Sequence, residues 1–234
     1  MVDAYTTSDA YPNATPTSFG DATTDTVTQR ASNIAAQSRN QVNYIRNSVK
    51  ATVNDYDSSV TQYAWEPEDP ILKTWSEVYP TTIKPISEMS GDLMSHVRYP
   101  TDLFKVQRAM LGQYHVDDAS SFYQGDNRWS TPTDPQDPSS TALQPPYYLT
   151  MQMPGQDEPT FSMFTTFIPP GAGTASRNIL TGYLAVDANA GAVKGERNDD
   201  YGRLRMLEIS ADTTVPGPGQ VQNTFNSDTV VSSQ

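Results

Sequence analysis

Residues 43–65 read Asn-Tyr-Ile-Arg-Asn-Ser-Val-Lys-Ala-Thr-Val-Asn-Asp-Tyr-Asp-Ser-Ser-Val-Thr-Gln-Tyr-Ala-Trp, and their period is two. Ile45, Val49, Ala51 and Val53 alternate with Tyr44, Arg46, Ser48 and Thr52. The alternation resumes from Val60 to Trp65 after the polar run Asp55-Tyr-Asp-Ser-Ser59. Side chains two apart share one face of a strand, so the stretch predicts a β-hairpin. Asp55, Asp57, Ser59, Thr61, Tyr63 and Glu66 also fall at the spacing of a calcium loop. Val60 stands where such a loop needs Gly, and its flanks read as strands rather than helices, so a polar turn is the better reading.

Downstream the period changes. Asp69-Pro70 caps and opens a helix in which Ile71, Trp75 and Val78 or Tyr79 recur at helical spacing until Pro80. Ser90 caps a second helix through Val97. Pro100 or Thr101 starts a third, whose Leu103, Val106, Met110 and Leu111 form an apolar stripe ending near Gly112 and predicted to face the core. A last helical turn, Ala119 to Tyr123, is capped by Asp117 or Asp118 and closed by Gly125. After a loop from Ser130 to Pro146 the period returns to two in Tyr147–Met153, Phe161–Ile168, Asn178–Val186 and Arg203–Ile209. Turns such as Met153-Pro-Gly-Gln-Asp157 separate these runs, which predicts a mostly antiparallel sheet.

Two stretches lack apolar anchors. Residues 14–41 hold only Phe19, Val27 and Ile34 among Thr, Ser, Ala, Asn, Gln and Asp, too few to offset ordering entropy, and predict a mobile insertion. The Asn13-Ala-Thr15 triplet at its edge matches a glycosylation acceptor, a pattern common by chance. Residues 212–234 carry Val215-Pro-Gly-Pro-Gly219 and then polar residues, which predicts an extended tail or linker. The fold class is therefore α+β, predominantly antiparallel sheet with a block of short helices over 69–125, in one domain spanning 1–234.

Composition narrows the function. The hydrophobic fraction is 36%, and 18 Pro and 13 Gly break the chain often. A formal charge of −12 repels a phosphate backbone, which excludes nucleic acid as a partner. Cysteine is absent, so no thiolate site and no disulfide forms. No run reaches the roughly 18 apolar residues that span a bilayer, so this piece does not insert itself. Its start and end carry no signal of their own, which reads as a piece excised from a longer protein.

Catalytic constellations are missing. His96 and His115 form no His-Glu-x-x-His pair, and there is no nucleophile elbow or phosphate-binding loop. Gly171-Ala-Gly173 followed by Ser176 imitates a dinucleotide fingerprint, yet Pro169-Pro170 precedes it and a strand follows, so it reads as a loop. His115 beside Asp117 and Asp118 has the makings of a carboxylate-supported base, although helix capping accounts for the acids more simply. His96, ahead of Arg98-Tyr-Pro100, reads as a hydrogen-bonding residue. Trp129, Tyr147 and Tyr148, with Asp126 near, offer flat amphipathic faces and a hydroxyl acceptor suited to a sugar ring, against the competing use of such aromatics in packing. The sequence thus predicts no catalytic set, no cofactor and no metal, and leaves His115, Trp129, Tyr147 and Tyr148 as candidate ligand contacts.

Six segments carry a resemblance to a known family. They are Val2-Asp-Ala-Tyr-Thr-Thr-Ser-Asp-Ala-Tyr-Pro12, Asn43-Tyr-Ile-Arg-Asn-Ser-Val-Lys-Ala-Thr-Val53, Asp69-Pro-Ile-Leu-Lys-Thr-Trp75, His96-Val-Arg-Tyr-Pro-Thr-Asp-Leu-Phe-Lys-Val-Gln107, Gln144-Pro-Pro-Tyr-Tyr-Leu-Thr150 and Val215-Pro-Gly-Pro-Gly-Gln-Val-Gln-Asn223. Together they resemble uncharacterised protein family 0182 over nearly the whole chain. The resemblance implies a large bacterial multi-pass membrane protein, frequent in actinobacteria, of which this is a later part of a long extracytoplasmic region. Stretch 14–41 is longer than the family pattern, and Asp57-Ser58 stands where that pattern has Asp-Gly. No activity and no catalytic residue comes with the family.

Two functions follow as expectations. The first is an interaction or structural module on the extracytoplasmic side of a cell-membrane protein, with other parts of that protein or envelope components as partners. The alternative is an envelope enzyme or glycan-binding domain with its site near His115 or near Trp129 and Tyr147.

Overall fold

The computed structural model describes residues 1–30, 40–125, 127–136, 141–171, 178–210 and 212–232. In chain order its elements are β1 (Val2–Ser8), β2 (Thr17–Ser18), α1 (Phe19–Thr23), α2 (Thr26–Arg30), β3 (Gln41–Val42), β4 (Tyr44–Val53), β5 (Val60–Ala64) and α3 (Pro70–Val78). There follow β6 (Ile83–Pro85), a 3₁₀ turn (Ile86–Glu88), α4 (Gly91–His96), α5 (Thr101–Tyr114) and α6 (Ala119–Gln124). The last are β7 (Tyr147–Met151), β8 (Thr160–Phe167), β9 (Gly182–Asp187), β10 (Leu204–Glu208), α7 (Pro218–Ser227) and α8 (Thr229–Ser232). This is the α+β class read from the sequence, mostly antiparallel sheet with short helices. The chain divides into two compact units. One takes Met1–Phe19, Ser38–Phe104 and Asp187–Gly202, and the other Gly20–Gln37, Lys105–Val186 and Arg203–Gln234.

The first unit is built on the sheet β1-β4-β5-β6. The hairpin forms as its period predicts, with Val49 opposite Ala64 and Val53 opposite Val60. Its turn is closed by Asn54 and Ser59, Asp57 accepts a hydrogen bond from the Ser59 amide, and Ser58 adopts a left-handed φ of 59°. Thr61 and Tyr63 lie along β5, and Tyr63 is buried in the core, so the calcium-like spacing is a turn followed by a strand. Strand β6 joins in parallel, which periodicity over three residues could not reveal. Tyr63, Trp65, Met89, Met94, Val97 and Ala190 form the core.

The middle of β4 departs from simple alternation: Asn47, Ser48, Val49 and Lys50 are all buried. Ser48 shares a hydrogen bond with Thr6, and its carbonyl accepts from the amides of Trp65 and Glu66. Lys50, 1% exposed, bonds Asp3 and lies 5.2 Å from the centre of the Trp65 ring. Burial pushes the Lys50 ammonium below its usual pKa, and Asp3 works against that shift. Arg197 lies 5.2 Å from the same ring and is paired with Glu66 at 2.8 Å. Both cations near the indole are thus matched by acids, the condition under which such burial is tolerated.

Helix α3 forms where Asp69-Pro70 predicts it, with the Asp69 carboxylate accepting from the Leu72 amide. Its apolar stripe, however, faces outward. Leu72 is buried, while Trp75, Val78 and Tyr79 are 53%, 56% and 55% exposed.

The second unit carries the sheet β10-β9-β8-β7, with Tyr147 opposite Phe164 and Leu204 opposite Val186. Met163, Phe167, Leu184 and Val186 fill one side of it. The expected core stripe of α5 is corrected here. Met110 is 41% exposed, and the buried side chains of this unit's part of the helix are Lys105 and Arg108. Lys105 Nζ lies 2.6 Å from Asp25 Oδ2 and donates to the Thr23 carbonyl, and Arg108 donates to the Gln144 carbonyl. A hydropathy stripe cannot anticipate a helix whose buried face is charged, because the compensating acid comes from elsewhere in the chain.

That acid also corrects the reading of 14–41. Of its described residues, 14–30 carry β2, α1 and α2 and Gln41 begins β3, and Asp25 caps the next turn through Thr28. Thr26 donates to Asp134 at 2.7 Å. The anchors are polar pairs, which an apolar count overlooks. Residues 31–39 of that stretch lie outside the described residues. The tail is corrected too: Pro218 opens α7 with its preset φ, and Asn178 holds the start of the helix through the amides of Gly217 and Gly219.

Asp25→Ala removes the carboxylate that faces the buried Lys105 ammonium, and denaturant unfolding is expected to show a loss of about 3–5 kcal/mol, most of it recovered in the Asp25→Leu, Lys105→Met double variant. Ser58→Gly relieves a left-handed backbone and is expected to raise stability by about 0.5–1 kcal/mol in the same assay.

Candidate functional site

The end of α5 places the first candidate residue. His115 directly follows the helix, and its Nδ1 lies 2.7 Å from the Leu111 carbonyl. A carbonyl only accepts, so Nδ1 carries the proton and Nε2 is the nitrogen left for a ligand. The imidazole stacks on the Trp129 indole with ring centres 3.8 Å apart and planes at 27°. Structure therefore brings together two of the four residues that sequence singled out.

Trp129 is held from several sides. Its amide donates to the Gly112 carbonyl at 2.7 Å, and its ring lies 5.2 Å from that of Phe167. A Cβ added at Gly182 would sit 2.6 Å from the indole, closer than real carbon atoms approach, so glycine is required there for the ring to seat. At Gly112, on α5, an added Cβ would meet the Trp129 backbone carbonyl at 2.7 Å, so glycine lets that backbone approach the helix, which runs on to Tyr114. The indole is half-buried among these packing contacts.

His115 and Trp129 nevertheless line a cleft of about 410 Å³. Its walls include Asp117, Arg128, Glu208 and Thr181, with Pro169, Pro170 and Ile209 as apolar surface. Thr181 Oγ1 is buried without a partner among the described residues. Asp118 also borders the cleft, but its carboxylate accepts from the Ser121 amide as the N-cap of α6, and that bond holds it below the usual carboxylate range. Asp117 is exposed. Such a set, with one imidazole, one guanidinium and carboxylates around a half-open hollow, suits a small polar ligand with hydroxyl and charged groups. Arg128, Thr181 and Glu208 were not legible as site residues, since they come from separate loops and strands and carry no shared motif.

Tyr147 and Tyr148 lie elsewhere, on strand β7, and do not line the cleft. Tyr147 contacts Phe164, and Tyr148 stacks on Phe161 with ring centres 5.3 Å apart. Phe164 stacks in turn on Tyr183, whose phenol burial pushes up to about 12. Adjacent strand residues face opposite sides, so the two tyrosines cannot grip one ring together. Asp126, read with them, lies outside the described residues. His96 is exposed, with Nδ1 lying 2.7 Å from the Asp92 carbonyl of its own helix. Among the described residues no group of three or more His, Cys, Asp and Glu is placed to hold a metal, and no helix is long and apolar enough to cross a membrane.

Gly182→Ala is expected to unseat Trp129, lowering stability by about 1–3 kcal/mol and shifting tryptophan emission.

A protein of Leifsonia xyli subsp. xyli is 59% identical over 235 residues, covering 100% of this chain and 23% of the relative. One from Paenarthrobacter aurescens is 56% identical over 232 residues, covering 99% of this chain and 23% of its own length. A third, from Clavibacter michiganensis subsp. michiganensis, is 54% identical over 238 residues, covering 100% and 24%. The chain thus spans about a quarter of the length of these relatives, all named UPF0182 proteins. No solved structure matches. The family model described as an uncharacterised protein family, UPF0182, matches residues 1–234, and the chain belongs to that family.

Proposed function

We propose that this chain is an interaction module on the extracytoplasmic side of a larger membrane protein, docking against other parts of the same polypeptide. The observation that carries the reading is the outward apolar face of α3. Trp75 and Tyr79 stack with ring centres 5.9 Å apart, and with Val78 each is more than half exposed. Contiguous apolar surface of this kind is stabilised by being covered. The covering surface is supplied by the rest of the protein, because the chain is 23% of the length of its relatives and three quarters of the polypeptide lies outside it. The membrane and the extracytoplasmic side come from the family resemblance.

A second reading rests on the cleft at His115. A glycan or an envelope metabolite fits its carboxylates, guanidinium and orphaned Thr181 hydroxyl, and His115 Nε2 provides a base for hydrolysis.

Hydroxyl-radical footprinting of the full-length protein in intact cells separates the two. The module reading expects Trp75 and Tyr79 to be labelled at least about tenfold more slowly than Tyr56 and Tyr123, which are 101% and 91% exposed. Equal labelling of all four would sink it. The second reading requires protection at Trp129 on adding envelope glycan fragments, abolished by Arg128→Ala.

A further inference from the structure

Four strands form the outer edges of the two four-stranded sheets: β1 and β6 of one, β10 and β7 of the other. An outer strand presents on its far side a row of amides and carbonyls that no other strand of its sheet meets, and proteins blunt such rows with charge, proline or a bulge. β1 carries Asp3 and a break in register between Ala4 and Thr6. β6 has three residues, among them Lys84 and Pro85, and β10 carries Arg205 and Glu208. β7, Tyr147-Tyr-Leu-Thr-Met151, has none of these devices. No acidic or basic residue falls between Asp137 and Asp157.

The side chains of this edge point the same way. Tyr147 is 37% and Leu149 52% exposed. Tyr147 is also the open end of an aromatic row that crosses the sheet through Phe164 and Tyr183, with ring centres 6.0 and 5.2 Å apart. Leu207, opposite Tyr183 on β10, closes the other end. A fifth strand beside β7 would extend this row with one more cross-strand pair, each such pair being worth a few tenths of a kcal/mol to about 1 kcal/mol.

We infer that β7 accepts an added strand from the part of the same polypeptide outside residues 1–234. This rests on the module reading above and assigns it a second, separate surface. The occupant fitting the edge is an uncharged extended segment that sets a large apolar side chain beside Tyr147 or Leu149. A segment of the same molecule has the advantage of effective concentration, and the formal charge of −12 opposes a second copy. Relatives about four times as long as this chain contain the length required, since it covers 23% of them.

The test places a photo-crosslinking phenylalanine analogue at position 149 of the full-length protein in intact cells, with position 193, 59% exposed in the other unit, as the reference. The expected product keeps the mass of one polypeptide and joins residue 149 to a peptide outside 1–234. A product of twice the mass, a product with another protein, or a yield no higher than at position 193 overturns the inference. Residue-resolved amide exchange on the same protein supplies a second readout. The alternate β7 amides that do not face β8 are expected to exchange at least about a hundredfold more slowly than unpaired amides, and Leu149→Lys is expected to abolish that protection. Fast exchange at those amides with slow labelling of Trp75 defeats the added strand and leaves the module reading standing. Fast exchange with fast labelling defeats both.

Discussion

Lys105 and Asp25 lie 2.6 Å apart, 3% and 0% exposed, inside the second unit. In the first unit Lys50, 1% exposed, is paired with Asp3, which is 34% exposed and keeps contact with water. Taking a charge out of water costs several kcal/mol, so each lysine requires its aspartate and the hydrogen bonds around it. A chain with only 36% hydrophobic residues cannot fill two interiors with apolar side chains, and these pairs occupy part of the volume. Each also ties remote segments together: β1 to the middle of β4 in one unit, and the α1–α2 segment to α5 in the other.

Burying charge inside goes with leaving apolar groups outside. Trp75, Val78 and Tyr79 on α3, and Tyr147 and Leu149 on β7, are large side chains in contact with water. Exposed apolar surface of this kind is stabilised by being covered, which is the ground on which the module reading stands. The cleft beside His115 has a different character. It is polar, it is built on a rigid Trp129 seat, and it includes a buried hydroxyl without a partner, so it is suited to a small ligand rather than to another protein surface.

Features legible in the sequence were those whose cause is local. The hairpin of β4 and β5 followed from a period of two, and the caps at Asp69, Ser90 and Asp118 followed from short polar side chains ahead of helical runs. Gly125 closed α6 in a left-handed conformation as expected. The four late strands stood where alternation placed them. In the candidate site, His115 and Trp129 were visible as residue types, but their stacking was not, because Gly182, more than fifty residues away, makes room for the indole and Gly112 for the Trp129 backbone.

Sequence by itself thus determined the hairpin, the capped helices of 69–125, the late strands and the α+β class, though not α1, α2, β6 or α7, since hydrogen-bonding period and capping act over a few residues. It also carried the family, through segments spread over the whole chain. Only the tertiary structure decided which face of each element is buried. On α5 Lys105 and Arg108 are buried beside Phe104 because Asp25 and the Gln144 carbonyl come to meet them, and on α3 the apolar side stays in water because nothing among the described residues covers it. Burial is a property of partners, and the partners of a side chain are fixed by contacts that no local pattern contains.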